Sequence, residues 1–311
     1  MREDIVGLHI GDHRITAAQL RMGHRNVPRL IRAGWVDRDP GHGNGGVTAA
    51  ILELWRKFHF RTSTVAVAIR SRGLIIRHFS YPFLTDNQLA STLSLEAEES
   101  TQLPPAELCL DWHVNNRQSS SRGDEGAGRI EGVFVAAPKE SVQAEINALV
   151  MARLFPVVAD VQGMAVANAF LTLNGPIQED GSVCLLHLQE NEADMVVFFA
   201  ESGVYPRTIY APHGGWHASI QHLLECLEEG LHYVRFKLHK PGIKRFLVAG
   251  RANCRDEIVA ALSDRFAIEV TCWDPLDHMR VSIMCAAHRR RRPYPGIGNT
   301  LIPAIGLAMR F

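Results

Sequence analysis

The chain states one plan twice, and that repetition restricts its fold more than any other feature. In the first half, 5–10 and 15–20 read as strands joined by the polar turn Gly11-Asp12-His13-Arg14. A third strand, 30–36, follows turn residues at 23–26. The glycine-rich stretch 39–46 then reads as a breaker, because ordering glycine into regular structure is costly. A helix is predicted over 47–58, with Val47, Ile51, Leu54, Trp55 and Phe58 on one face at helical spacing. A strand resumes at 64–69. The second half repeats the order: strands at 183–188, 194–200 and 204–210, a break at His213-Gly214-Gly215, and a long helix to about Phe236. A strand at 244–249, a helix at 253–266 and a strand at 268–271 complete it. Two such α/β halves facing one another enclose a cleft, the usual place for a ligand.

Between their fourth and fifth strands the halves diverge. The second half has one helix there, whereas the first has a block of its own, about 81–155. Thr85-Asp86-Asn87-Gln88 has the form of a capping box, with Thr85 as N-cap and Gln88 three residues on. Leu89, Leu93 and Ala97 mark the apolar stripe of the helix that follows, and Pro104-Pro105 stops it. A strand pair is predicted at 108–114 and 130–136, joined by a serine-, glycine- and charge-rich loop at 115–128. A helix at 139–154 should bury Val142, Ile146, Leu149 and Val150. The block is an inserted α+β subdomain. Gly175-Pro176, with Asp180-Gly181 nearby, marks the main domain boundary.

Bulk properties exclude several classes. Lysine plus arginine equals aspartate plus glutamate at 33 each, so no global field draws the chain to nucleic acid. The longest apolar runs, such as 195–200, fall far short of the ~20 residues that span a bilayer. The first residues show no signal-peptide apolar region, and the six cysteines lie scattered without a CxxC pair. A cytoplasmic protein with cysteines serving as small hydrophobes is the expectation. No HExxH, H-x-E or GxSxG arrangement is present, and no catalytic residue is assigned.

Several segments carry a family resemblance. Glu96-Ala97-Glu98, then Pro104, Glu107, Leu110 and Asp111, run through the inserted block. Ala136-Ala137-Pro138-Lys139-Glu140 and Pro156-Val157-Val158-Ala159-Asp160-Val161 follow, and the chain closes on Ala304-Ile305-Gly306-Leu307-Ala308-Met309-Arg310. In order and spacing these resemble the PilM family of type IV pilus assembly proteins, relatives of FtsA. The resemblance implies an α/β, actin-like duplicated fold with an inserted subdomain in the first half and a reduced outer subdomain in the second. The domains would be 1–80 with 156–175 and 299–311, then the insert 81–155, then 176–298.

The departures fall on the nucleotide pocket that the family would share. Where the first phosphate loop of the family reads roughly Asp-Ile-Gly-Ser, this chain has His9-Ile10-Gly11-Asp12. The second also begins Asp-Ile-Gly in the family and here reads His187-Leu188-Gln189-Glu190. Such loops hold phosphate through backbone N–H groups, and aspartate holds Mg²⁺ through water. Both aspartates have become histidine, while Glu190 and Glu192 would repel phosphate. The adenosine loop is reduced to Ala249-Gly250-Arg251, and a base-holding segment after Gly215 is missing. Gln162 matches the actin position beside the attacking water, where PilM proteins usually have glutamate. His9, Gly11, Asp12, Gln162, His187, Gln189 and Gly250 therefore form a vestigial pocket. A metal between His9 and His187 would lack the three or four ligands a zinc site needs, so no metal is expected.

The resemblance implies a cytoplasmic scaffold at the inner-membrane face, reaching the membrane through a partner. That partner would be the N-terminal tail of a PilN-like membrane protein, in a groove between the first domain and 81–155 that no motif maps to individual residues. No cofactor is expected. ATP with Mg²⁺ in an actin-like ATPase is the alternative reading, and the cytoplasmic domain of a type II secretion L-type protein is a further one. The basic run His288 with Arg289–Arg292 reads as a solvated loop, with an anionic-lipid contact as its alternative.

Overall fold

The structure, a computed structural model, describes residues 5–22, 27–39, 43–71, 73–117, 128–178, 181–200, 203–213, 215–252, 254–281 and 297–310. The 23–26 turn, the serine run at 119–121, Cys285 and the basic run at 288–292 lie outside them. Among the described residues no helix is long and apolar enough to cross a membrane.

Strands β1 (Val6–Ile10), β2 (Arg14–Met22) and β3 (Pro28–Asp37) form an antiparallel meander. Helix α1 (Gly43–Phe58) leads to β4 (Thr64–Ile69), which runs parallel to β1. α1 begins inside the glycine stretch read as a breaker. Glycine lowers helix propensity by only about 1 kcal/mol per residue, and burying Val47, Ile51, Leu54 and Phe58 outweighs that. 

Residues 69–147 form a compact unit of their own. It contains β5 (Ile75–Pro82), α2 (Asp86–Thr101), β6 (Leu108–Arg117), β7 (Arg129–Pro138) and most of α3 (Lys139–Met151). The strands make an antiparallel sheet ordered β5-β7-β6. Thr85 and Gln88 make the reciprocal capping box, and Gln102 ends α2 in a left-handed C-cap. Leu89, Leu93 and Ala97 pack on Phe79, Ile130, Phe134 and Ala136. Because β5 pairs along its whole length with β7, it belongs to this sheet, although the sequence reading assigned its first residues to the first domain. Val150 of α3, expected on the buried face, is 58% exposed, and Ala148 is buried instead.

The chain re-enters the larger unit through β8 (Phe155–Val161), the strand beside β4, and α4 (Gln162–Asn174). The second half then follows. β9 (Ser182–Leu188), β10 (Glu192–Phe198) and β11 (Val204–Tyr210) form another antiparallel meander. Helix α5 (Ile220–Phe236) comes after only residues 211–219, which hold one short 3-10 turn, Trp216–Ala218, so no large outer subdomain is built there. β12 (Ile243–Gly250) runs parallel to β9, and α6 (Arg255–Phe266) connects it to β13 (Glu269–Cys272). A two-residue strand, β14 (Arg280–Val281), then pairs with β3, so the first sheet gains an edge strand from a segment read as second-domain. Helix α7 (Ile297–Ala308) closes the fold.

The core lies between the six-stranded and five-stranded sheets. Leu20 and Leu30 of one, Val183, Leu185, Val196 and Phe198 of the other, and residues of α4 and α7 share a single cluster. α7 is buried nearly all round, as a helix between two sheets must be. It approaches its neighbours as far as backbone allows. A Cβ on Gly306 would lie 1.7 Å from the Ala165 carbonyl oxygen of α4, and one on Gly7 would lie 1.9 Å from that of Ala304. Because both obstacles are backbone, Gly306→Val should cost about 3 kcal/mol or more. Urea denaturation should show the loss, with Gly45→Ala of α1, where a Cβ meets nothing within 4 Å, as the control that loses nothing and gains up to about 1 kcal/mol.

A buried polar junction between the two halves

The first two strands of each half are tied into matching hairpins. The Gly11 N–H donates to the Arg14 carbonyl at 2.8 Å, and the Gln189 N–H donates to the Glu192 carbonyl at 2.8 Å. Alternation along each strand therefore aims His9 of β1 and His187 of β9 away from the residues that flank them, and both are buried. Gln162, the first residue of α4, is buried beside them at 6% exposure.

These side chains meet. His9 Nε2 lies 2.5 Å from Gln162 Oε1, so the ring nitrogen donates to the amide oxygen. The Gln162 amide nitrogen donates to Asp194 Oδ2 at 2.7 Å and to Glu192 Oε1 at 3.0 Å. His187 Nδ1 donates to Asp194 Oδ2 at 3.1 Å, and the Thr208 hydroxyl to Asp194 Oδ1 at 3.0 Å. The Gln189 side chain donates to Glu192 Oε1 at 2.9 Å. One amide thus joins a histidine of the first half to two carboxylates of the second. Buried polar groups are tolerable when satisfied in this way, and in a low-dielectric interior such chains strengthen one another.

Of the residues assigned to the pocket from sequence, the structure brings His9, Gln162, His187 and Gln189 into this network. Asp12 lies exposed in the first turn. Gly11 is buried with its amide committed to the hairpin. Gly250 sits elsewhere, at φ +90°, where a Cβ would meet the Leu188 carbonyl oxygen at 2.1 Å, and its N–H donates to Asn299 at 3.2 Å. Its glycine is explained by the packing of β12 on β9 and the positive φ. Glu192, read as a charge repelling phosphate, is 5% exposed and accepts two amide hydrogen bonds, while Glu190 is exposed. Asp194 and Thr208 were missed. A single acid inside the apolar run 193–200 was the available signal, since an acid there must find a partner. Among the described residues, no group of three or more His, Cys, Asp or Glu side chains is placed to hold a metal ion.

The two hairpin turns touch, with the Asn191 amide donating to His13 Nε2 at 3.3 Å. The Gly11, Gln189 and Gly250 N–H groups are each committed within the protein, as is every polar atom of Gln162. Two buried carboxylates, Glu192 and Asp194, stand in the same junction. Replacing Gln162 with Ala strips one partner from each of His9, Asp194 and Glu192. At roughly 1–3 kcal/mol per buried group left short, the variant should lose about 3 kcal/mol or more in urea denaturation, without a change of fold by circular dichroism.

The family model described as "Type IV pilus assembly protein PilM" matches residues 12–225. In structure, a chain of a PilM-PilN type IV pilus biogenesis complex aligns over 100% of this chain and 99% of its own, at TM-score 0.79 and 19% identity. A Bacteroides thetaiotaomicron protein with an actin-like ATPase fold and unknown function aligns over 88% of this chain and 91% of its own, at TM-score 0.52 and 10% identity. The cytoplasmic domain of EpsL, an inner-membrane component of the type II secretion system of Vibrio cholerae, covers 80% of this chain and 83% of its own, with TM-score 0.47 and 13% identity. No curated protein matches in sequence. The fold is the actin-like one.

Proposed function

The chain belongs to the PilM family of type IV pilus assembly proteins, and from that premise we propose that it is a scaffold, held together without nucleotide, that captures the tail of a PilN-like inner-membrane protein. One observation carries the nucleotide half of the reading: the His9–Gln162–Asp194–His187 network. Actin-like affinity for a nucleotide combines backbone donors on two turns, a cation held by aspartates and a clasp on the base. Here the donors named above are spent inside the protein, the aspartates are His9 and His187, and the base-holding region is reduced to residues 211–219. Each lost charge-assisted contact costs about 1.5–3 kcal/mol, and each 1.4 kcal/mol is about tenfold in affinity. Several such losses put binding beyond useful concentrations, even allowing for non-additivity.

Purified protein titrated with Mg-ATP should give no heat of binding and no thermal shift, and no phosphate should be released. Micromolar binding abolished by replacing Gly11 with a bulky residue would establish a working pocket and the ATPase reading instead.

The partner half of the reading rests on the family and on the relative solved as a PilM-PilN complex. A short tail is commonly captured through main-chain hydrogen bonds and a few apolar pockets. A synthetic tail from a PilN-like single-span membrane protein of the same organism should bind the purified protein in calorimetry. Co-expression with that membrane protein should carry the chain into the membrane fraction, reaching the membrane through its partner. No heat with the tail, together with no shift to membranes, would remove the partner assignment.

A further inference from the structure

The sheet of the inserted unit is ordered β5-β7-β6, so among the described residues β5 pairs on one side alone. The ladder continues one residue past the strand, where the Phe83 N–H donates to the Gly128 carbonyl at 2.9 Å. Counting back in twos, residues 75, 77, 79 and 81 turn their backbone groups to β7, while Ile76, His78 and Ser80 turn theirs to the outer edge. Proline, a common block on such an edge, stands only at the strand's last position, Pro82.

Alternation puts Arg77 on the same face as Phe79, the face that α2 covers. There Arg77 and the α2 residues Thr92, Leu95, Glu96, Glu99 and Ser100 line an open groove of about 590 Å³. Leu95 is 67% exposed, and the Ser100 hydroxyl is buried with no hydrogen-bond partner among the described residues. The Tyr81 hydroxyl donates to Glu96. Arg77 and Glu99 are both exposed on this groove, and among the described residues neither forms an ion pair. The last two turns of α2 carry Glu96, Glu98 and Glu99 with no Lys or Arg, at the end of a helix where the dipole already disfavours negative charge. That helix end lacks a cation, and the strand beside it carries an unmatched one.

We propose that two copies of this chain pair through their β5 edges, antiparallel and centred on His78, so that two three-stranded sheets become one of six strands. A two-fold axis at His78 sets Ile76 of one copy opposite Ser80 of the other, and each strand completes the other's ladder. The axis stands perpendicular to the sheet, so both α2 helices lie on one face, flanking the joined edges. Arg77 then falls opposite Phe79 of the second copy and diagonal to its Tyr81, the residue whose hydroxyl holds Glu96. Diagonal neighbours across a ladder lie about 7–8 Å apart, within an arginine's reach. Centring the pair on Arg77 instead would set two guanidinium groups face to face, which is unfavourable. The charges favour a second copy as occupant: cation and acid are each unmatched within one chain and are matched across the axis, as a self-complementary contact requires. The inference goes beyond the scaffold reading and does not depend on it.

The test is sedimentation velocity of the full chain over a range of concentrations at low salt. The protein should pass from monomer to dimer as concentration rises. Ser80→Pro removes an N–H on the outer edge and leaves the β5–β7 ladder intact, so it should stay monomeric where the parent is dimeric. Ser80→Ala keeps that N–H while losing the side-chain contacts to Glu131 and Arg129, and should dimerise like the parent. Arg77→Glu and Glu99→Arg should each weaken dimerisation roughly tenfold or more, since a two-fold axis counts every substitution twice. Combining the two should recover most of the loss. A parent that stays monomeric at every concentration would overturn the proposal. So would a dimer that survives Ser80→Pro and both charge variants, or a double variant no better than the singles. Binding of a PilN-like tail to Ser80→Pro, read by calorimetry, should be unchanged, which separates this inference from the partner reading. Its loss would make the edge the seat of the tail and remove the second copy from it.

Discussion

Gly306 of α7 brings its backbone so near α4 that even a methyl group would overlap the Ala165 carbonyl oxygen, and the space between the two sheets is built around that contact. Stacked sheets with a helix layer between them leave little room, and small residues let helix backbones fill it without voids. Gly7 does the same for β1 against α7. The consequence is a core drawn from the whole sequence: Ala18 and Leu20 near its beginning, Phe198 and Leu247 in its second half, and Ile302 and Ile305 at its close. Neither half buries its inner face without the other, and the last helix completes the first sheet's packing.

The polar junction depends on that arrangement. α4 starts at Gln162, and its seating against α7 delivers the amide between the two hairpins. Once there, the amide uses its oxygen and nitrogen to bridge His9 to Asp194 and Glu192. A bound nucleotide with its cation would have supplied a bridge between the halves in an actin-like ATPase. Under the scaffold reading that task falls to side chains, which carry no dependence on a ligand's concentration. The price is specificity of geometry, because a buried network with one member missing is worse than an apolar core. Thr208, which donates to the second Asp194 oxygen, and Gln189, which shares Glu192 Oε1 with Gln162, are as much a part of the device as the histidines.

Local chemistry made much of the architecture legible. The capping box at Thr85, the stripe Leu89, Leu93 and Ala97, and the doubled order of strands and helices were all readable because each signal lies within a few residues. Propensity misled at 43–46, where α1 runs through glycines that tertiary burial further along carries into the helix. Val150 was misjudged for a related reason: a helical stripe can be shifted by one residue, and here Ala148 took the covered position. β5 and β14 could not be placed, since a strand's own residues do not say which sheet accepts them.

The sequence by itself determined the two α/β halves, the insert and the presence of histidine at positions 9 and 187. Periodicity, turn residues and the identity of a side chain are properties of the chain alone. Only the tertiary structure decided that those histidines are tied through Gln162 to Asp194, that Glu192 accepts hydrogen bonds instead of facing a ligand, and that β5 stands at the outer edge of its sheet. Each of these depends on which distant segments pair and in what register. His9 and Gln162 are 153 residues apart in sequence, and strand register together with helix seating, both set by burial of the shared core, brings them within reach of a hydrogen bond.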